Sequence, residues 1–214
     1  MTDYDKKQAF SVKKQAFYVR RIRQQRPHPA LRPNGRAQMA KTPRRAYTDT
    51  MKNVDYDRPQ AVAYARKWAF GRNPQYYDFS GLGGDCTNFV SQCLYAGSKV
   101  MNFIPVFGWY YRSANDRTAS WTGVEYLYRF LISNSAEGPF AEEVPPEKIQ
   151  AGDVLQLGRE TGDFYHTCLV TGFGFGRMPL VAAHTANAFA RPLRTYSFEK
   201  LRCLHIAGVR APDA

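Results

Sequence analysis

No stretch of this 214-residue chain approaches the roughly 20 apolar residues that a membrane-spanning helix needs. Residues 1–30 also lack the shorter apolar run of a secretory leader. The expectation is a cytoplasmic location by default, or export by an unconventional route. Cysteine is scarce, at four residues, and without a leader that number argues against a disulfide framework. The close spacings of a zinc site, C-x2-C or H-x3-H, are missing. A Gly-rich Lys loop for phosphates and a G-x-S-x-G elbow are missing too. These gaps remove phosphoryl transfer, structural zinc and α/β-hydrolase serine chemistry from the first rank, and no cofactor is implied.

Acidic residues are almost absent from the first 50 positions, with 3 Asp and no Glu against 13 Lys and Arg. The formal charge of +12 therefore sits mostly there, and the remainder of the chain carries +2. Residues 1–54 read as a basic N-terminal arm and 55–214 as the folded domain. The arm has Pro27, Pro29, Pro33 and Pro43, and a near-repeat, Lys7-Gln8-Ala9-Phe10 and Lys14-Gln15-Ala16-Phe17. Residues 6–25 fit a basic helix with Phe10 and Phe17 on one side. Such segments contact anionic membranes or nucleic acid. The competing reading is a solvated tail, which is the usual behaviour of a charge run.

At 44% hydrophobic and 14% aromatic, the whole chain is globular in character. Asp57-Arg58-Pro59 marks a helix start, and Ala61, Val62, Ala65 and Trp68 follow at helical spacing. A second helix is expected over about 86–95, stopped by Gly97. Residues 98–120 are rich in Trp, Tyr and Phe and read as a packed loop that walls a cleft. A further helix is expected over 122–133. Beyond residue 150 the pattern alternates, with strands expected over 154–157, 165–173, 180–184 and 202–210. Helices first and strands after predict an α+β fold, with an antiparallel sheet packed on the second helix.

The chemistry concentrates in Gly83-Gly84-Asp85-Cys86-Thr87-Asn88-Phe89-Val90-Ser91-Gln92. Asp85 suits an N-cap, where its carboxylate would accept from first-turn N–H groups. Cys86 would then open the helix, at the positive end of its dipole, where a thiolate is favoured. A thiolate nucleophile needs a base. His166, at the head of the apolar strand, is the candidate. A third polar group should orient that base. His184, after the returning strand, ranks first and Asn187 second. Taken singly, a strand histidine is more often structural and a cysteine at a helix start more often inert. Cys93, Cys168 and Cys203 read as small buried hydrophobes. His205 reads as structural, and His28 belongs to the arm.

The string Asp85-Cys86-Thr87-Asn88-Phe89-Val90-Ser91-Gln92 resembles the bacterial putative amidase domain family. Ala61 to Tyr64 with Trp68, Asn73-Pro74-Gln75-Tyr76, Trp109, Ser120-Trp121, Gly152-Asp153-Val154-Leu155 and Ala183-His184-Thr185 extend the resemblance over about 55–210. The family is similar to NlpC-type and CHAP cysteine peptidases of papain-like fold. The resemblance implies a thiol-protease-like Cys–His–polar triad cleaving amide bonds in peptidoglycan or another peptide. On this reading Cys86 attacks, His166 moves the proton and His184 orients His166. The backbone N–H of Cys86 donates to the oxyanion, with Tyr76 or Tyr77 as the second donor. Acyl transfer by the same triad, or an inactive domain that binds peptide or glycan, are the alternatives.

Overall fold

The computed structural model describes residues 51–213, so the basic arm and its near-repeat lie outside the described residues. Helix α1 is Arg58–Trp68, and Asp57 caps it by accepting from Gln60 N at 2.9 Å. Pro59 sits in its first turn, where a missing N–H costs nothing. Its buried stripe is Ala61 and Ala65, and side chains this small let a neighbouring helix come close.

That neighbour is α2, Cys86–Ser98, which is buried at every position except Tyr95. A helix apolar on one side only would not be swallowed this way. Here Thr87, Asn88, Ser91 and Gln92 are buried as well. They are accommodated through hydrogen bonds, among them Tyr64 Oη to Gln92 Oε1 at 2.8 Å and Trp109 Nε1 to Ser91 Oγ at 3.1 Å.

The expected stop at Gly97 moves to Lys99, which takes the left-handed conformation at φ 57°. Gly97 has a different task. Its carbonyl accepts from Asp57 N at 3.0 Å, so the end of α2 touches the start of α1. A Cβ there would stand 2.4 Å from Tyr56 Cε2 and 2.7 Å from Asp57 O. Gly97→Ala is therefore expected to lose about 1–3 kcal/mol, read as a lowered thermal midpoint.

The aromatic stretch after α2 holds two isolated bridges, Asn102 with Trp109 and Tyr111 with Arg117. It leads into α3, Ala119–Thr122, and α4, Val124–Ser133. Trp109 and Trp121 are fully buried, with ring centroids 4.8 Å apart. Both indoles thus belong to the core and not to the wall of an open cleft.

Among the described residues, seven strands form one antiparallel sheet: β1 (Met51–Val54), β2 (Gly138–Glu143), β3 (Val154–Gly158), β4 (Phe164–Phe173), β5 (Pro179–Ala183), β6 (Ala188–Pro192) and β7 (Lys200–Pro212). The order is β1-β7-β3-β4-β5-β6, with β2 also on β7. The first element of the described residues, β1, lies ahead of the expected boundary at 55 and pairs with the end of β7. Alternation splits the strand side chains between two faces. Val154, Leu169, Ala182 and Leu204 pack with the helices. Leu155, Leu157, Cys168, Val170 and Val181 form a second cluster, closed by Ile149 and Leu193. Helices on one face and an antiparallel sheet behind them make this an α+β arrangement.

Candidate active site

Cys86 is the first residue of α2, and the chain reaches it through two glycines at positive φ, Gly83 at 115° and Gly84 at 120°. Only glycine takes these angles without strain. Asp85 holds the N-cap position, but its side chain makes no capping bond, which corrects the expected role. Its carboxylate turns the other way. Oδ1 accepts from Phe79 N at 3.1 Å and Asn88 Nδ2 at 2.7 Å. Oδ2 lies 2.7 Å from His184 Nδ1 and 3.1 Å from Arg72 Nε. The fully buried carboxylate thus ties the preceding loop, the cysteine helix and the residue after β5 together. The first-turn N–H groups of α2 therefore take no cap from the Asp85 side chain.

His166 is brought to Cys86 by β4, where it pairs with Leu157 of β3. The residue after each is a threonine, and Thr87 Oγ1 and Thr167 Oγ1 meet at 3.0 Å. This buried contact fastens α2 to β4 one position away from both Cys86 and His166. Burial by itself would push the Cys86 thiol up. The hydrogen bond and charge of His166 outweigh it, helped by the Thr167 backbone N–H and the Thr87 hydroxyl, and the thiol lies below its ordinary range. Burial likewise opposes a charged His166. Cys168 and then Cys86 overcome it and raise the ring to about 11. The two shifts run in the directions that favour a thiolate facing an imidazolium. The His166 ring also stacks on Tyr196, with centroids 5.7 Å apart.

His184 does not orient His166. Its Nδ1 faces Asp85 and its Nε2 lies 2.9 Å from the Trp68 carbonyl, so both ring nitrogens are engaged elsewhere. Its ring stacks on Phe89 of α2 at 3.9 Å. The reason is register. Leu169 pairs with Ala182, and continuing that pairing sets His184 level with Thr167 rather than His166. One step along a strand changes the face. Thr167 is the residue that meets α2, and His184 follows it.

Asn187 is exposed, and its Oδ1 accepts from both terminal nitrogens of Arg72 at 3.3 and 3.2 Å. It therefore steadies the arginine beside Asp85 and does not reach His166. Tyr76 stacks on Trp121 at 5.8 Å and against Tyr111 at 5.0 Å. Tyr77 packs edge-on to Phe79, and its carbonyl accepts from Asn88 Nδ2 at 3.1 Å. Among the described residues, neither hydroxyl is hydrogen-bonded to Cys86 or His166. His205 lies 2.9 Å from Asp153 Oδ2, in a network with Arg58, and so serves the packing of β7.

Three features beside Cys86 and His166 carry little local signal in the sequence. Arg72 carries no motif. The Thr87–Thr167 contact is invisible until α2 and β4 meet. Cys168 carries a signal that could have been used, since its i+2 spacing from His166 on a strand puts both on one face. An open groove of about 510 Å³, lined by Gln60, Tyr64, Lys67, Trp68, Asn73 and Gln75, runs beside α1 and includes neither Cys86 nor His166.

A family model described as "Putative amidase domain" matches residues 55–207. The uncharacterized protein YhbB of Bacillus subtilis (strain 168) is 39% identical over 148 residues, covering 67% of this chain and 45% of that protein. The chain thus spans under half the length of this curated relative. No solved structure matches.

Proposed function

The chain belongs to the putative amidase domain family, and on that premise we propose that it is a cysteine amidohydrolase working through Cys86 and His166. The observation that carries this reading is the pairing itself. A thiol at a helix start is held below its ordinary range by an imidazole raised to about 11. Fully buried Cys93, by contrast, is pushed up by its burial.

In the proposed sequence the Cys86 thiolate attacks an amide carbonyl. The oxyanion that forms takes hydrogen bonds from the uncapped N–H groups at the start of α2. His166 passes its proton to the leaving amine, leaving a thioester on Cys86. A water then attacks the thioester, His166 accepts its proton, and the acid and the thiolate are released. Asp85, with His184 and Arg72, holds the loop that presents Cys86. A nucleophile helix packed on an antiparallel sheet that carries the base supports a papain-like fold and kinship with NlpC-type and CHAP peptidases. A peptide amide, free or in peptidoglycan, is the substrate class.

Incubation with purified peptidoglycan and with a peptide library, followed by mass spectrometry of new termini, tests the reading. New carboxyl and amino termini should form with the native chain and vanish with Cys86→Ala. Equal cleavage by that variant contradicts it.

A further inference from the structure

Four large apolar side chains stand in solvent around one turn: Phe103 at 47% exposure, Ile104 at 48%, Val106 at 74% and Phe107 at 82%. The turn is the tip of a narrow ribbon. Asn102 and Trp109 exchange backbone hydrogen bonds of 2.9 and 2.8 Å, and Gly108 N donates to Ile104 O at 2.8 Å. Its base is fixed in the core. Trp109 is fully buried and bonded to Ser91 of α2, and the buried Asn102 accepts from Ile104 N at 3.0 Å while donating to Glu137 O at 2.9 Å.

This is a built turn and not a slack loop. Val106 takes φ 70°, a conformation that a β-branched residue adopts only under constraint. At Gly108 a Cβ would stand 2.3 Å from Asn102 O, so the ribbon is closed as tightly as glycine allows. The constraint has one visible result: apolar groups are held outward, where burial would otherwise favour turning them in.

A cation borders the tip. The Arg112 guanidinium lies 4.7 Å from the ring centroid of Phe103 and 5.4 Å from that of Tyr110. The same chain carries 13 Lys and Arg against 3 acidic residues in positions 1–50.

We propose that the 103–107 tip is an interfacial anchor that inserts into an anionic lipid bilayer, with the basic residues of positions 1–50 as its electrostatic second signal. Shape favours a bilayer over a protein. Hot spots between proteins sit in pockets, whereas a convex ribbon tip offers none and fits a fluid surface. Phe, Ile and Val supply the apolar insertion, and the neighbouring guanidinium suits the headgroup level. Stable peripheral binding takes two signals, and apolar insertion with a polybasic stretch is one such pair. The proposal is independent of the amidase reading, because nothing in it uses Cys86 or His166.

The test is co-sedimentation of the full chain with vesicles of phosphatidylcholine and phosphatidylserine, and with vesicles of phosphatidylcholine alone. The native chain should partition onto the anionic vesicles. Val106→Asp combined with Phe107→Asp should lower that partitioning at least about tenfold, since two apolar side chains no longer insert. Added salt should strip the double variant more readily than the native chain. Both side chains are exposed, and aspartate tolerates the left-handed conformation better than valine, so the thermal midpoint should hold. Equal partitioning of native and variant chains overturns the proposal, as the arm then acts alone. A native chain that ignores anionic vesicles overturns it as well. So does one that self-associates in solution while the variant is monomeric, because the tip is then a contact between copies.

Discussion

Cys86→Ala and His166→Ala each lower amide cleavage by about 10³-fold or more, and the double variant is scarcely worse than Cys86→Ala alone. The expectation follows from how the two groups support each other. Without His166, the thiol keeps its burial and loses the hydrogen bond and charge that outweigh it. Without Cys86, His166 has no nucleophile to charge and no thioester to deacylate. Residues that act as one unit show such non-additive losses. Cys86 is 6% exposed and tucked at the head of α2, so alanine leaves the helix and its packing in place. Unchanged circular dichroism would tie the loss to chemistry. Initial rates on a cleaved peptide are the measurement, and additive losses would show two groups working separately.

Asp85→Ala is expected to destabilise the protein by about 3–5 kcal/mol, the usual result of removing one member of a buried charged network. The carboxylate is fully buried, and four partners depend on it: Phe79 N, Asn88 Nδ2, His184 and Arg72. Alanine satisfies none of them. Urea unfolding should show a lower midpoint with an unchanged slope, the sign of lost stability without a change in the surface exposed. Cleavage should fall too, because the loop ahead of Cys86 loses its tie to α2. Asp85→Asn separates charge from shape. Its amide oxygen still accepts from Phe79 N and Asn88, while Arg72 loses its counter-charge and His184 faces an amide in place of a carboxylate, so an intermediate loss is expected. Native stability in Asp85→Ala would show that the network is incidental.

Much of the site could be read from local chemistry. Cys86 at a helix start follows from Gly-Gly-Asp ahead of an apolar run. α1 follows from Asp57, Pro59 and its alanines. His166 at the head of β4 follows from the apolar run behind it. The failures share one cause, which is that distant partners decide. Asp85 has the side chain of an N-cap, yet it is claimed by Phe79 six residues before it and by His184 ninety-nine after it. His184 was expected beside His166, but a single register step sends it to the α2 side with Thr167. Nothing in the sequence pattern marks β1, β2 or β6. Their sequences, Met-Lys-Asn-Val, Gly-Pro-Phe-Ala-Glu-Glu and Ala-Phe-Ala-Arg-Pro, hold few β-branched residues and little alternation. β1 and β2 are strands because β7, thirteen residues long, offers both of them an edge. Gly97 shows the same limit, since it reads as a helix stop and serves as a contact surface for Tyr56.

The central claim is that Cys86 is a thiolate held by His166. Iodoacetamide alkylation across pH, with the modified cysteine located by mass spectrometry, tests it most directly. The Cys86 thiol is lowered, so its reactivity should persist as pH falls below the ordinary thiol range of about 8.5. His166 is raised to about 11, so the pair should stay charged until pH climbs toward that value. Near pH 7, Cys86 should therefore react faster than free cysteine, with buried Cys93 silent in the same sample. In His166→Ala the profile should move to alkaline pH, because only the burial that raises the thiol remains strong. A Cys86 that reacts no faster than free cysteine near neutrality, or whose profile is the same without His166, contradicts the account.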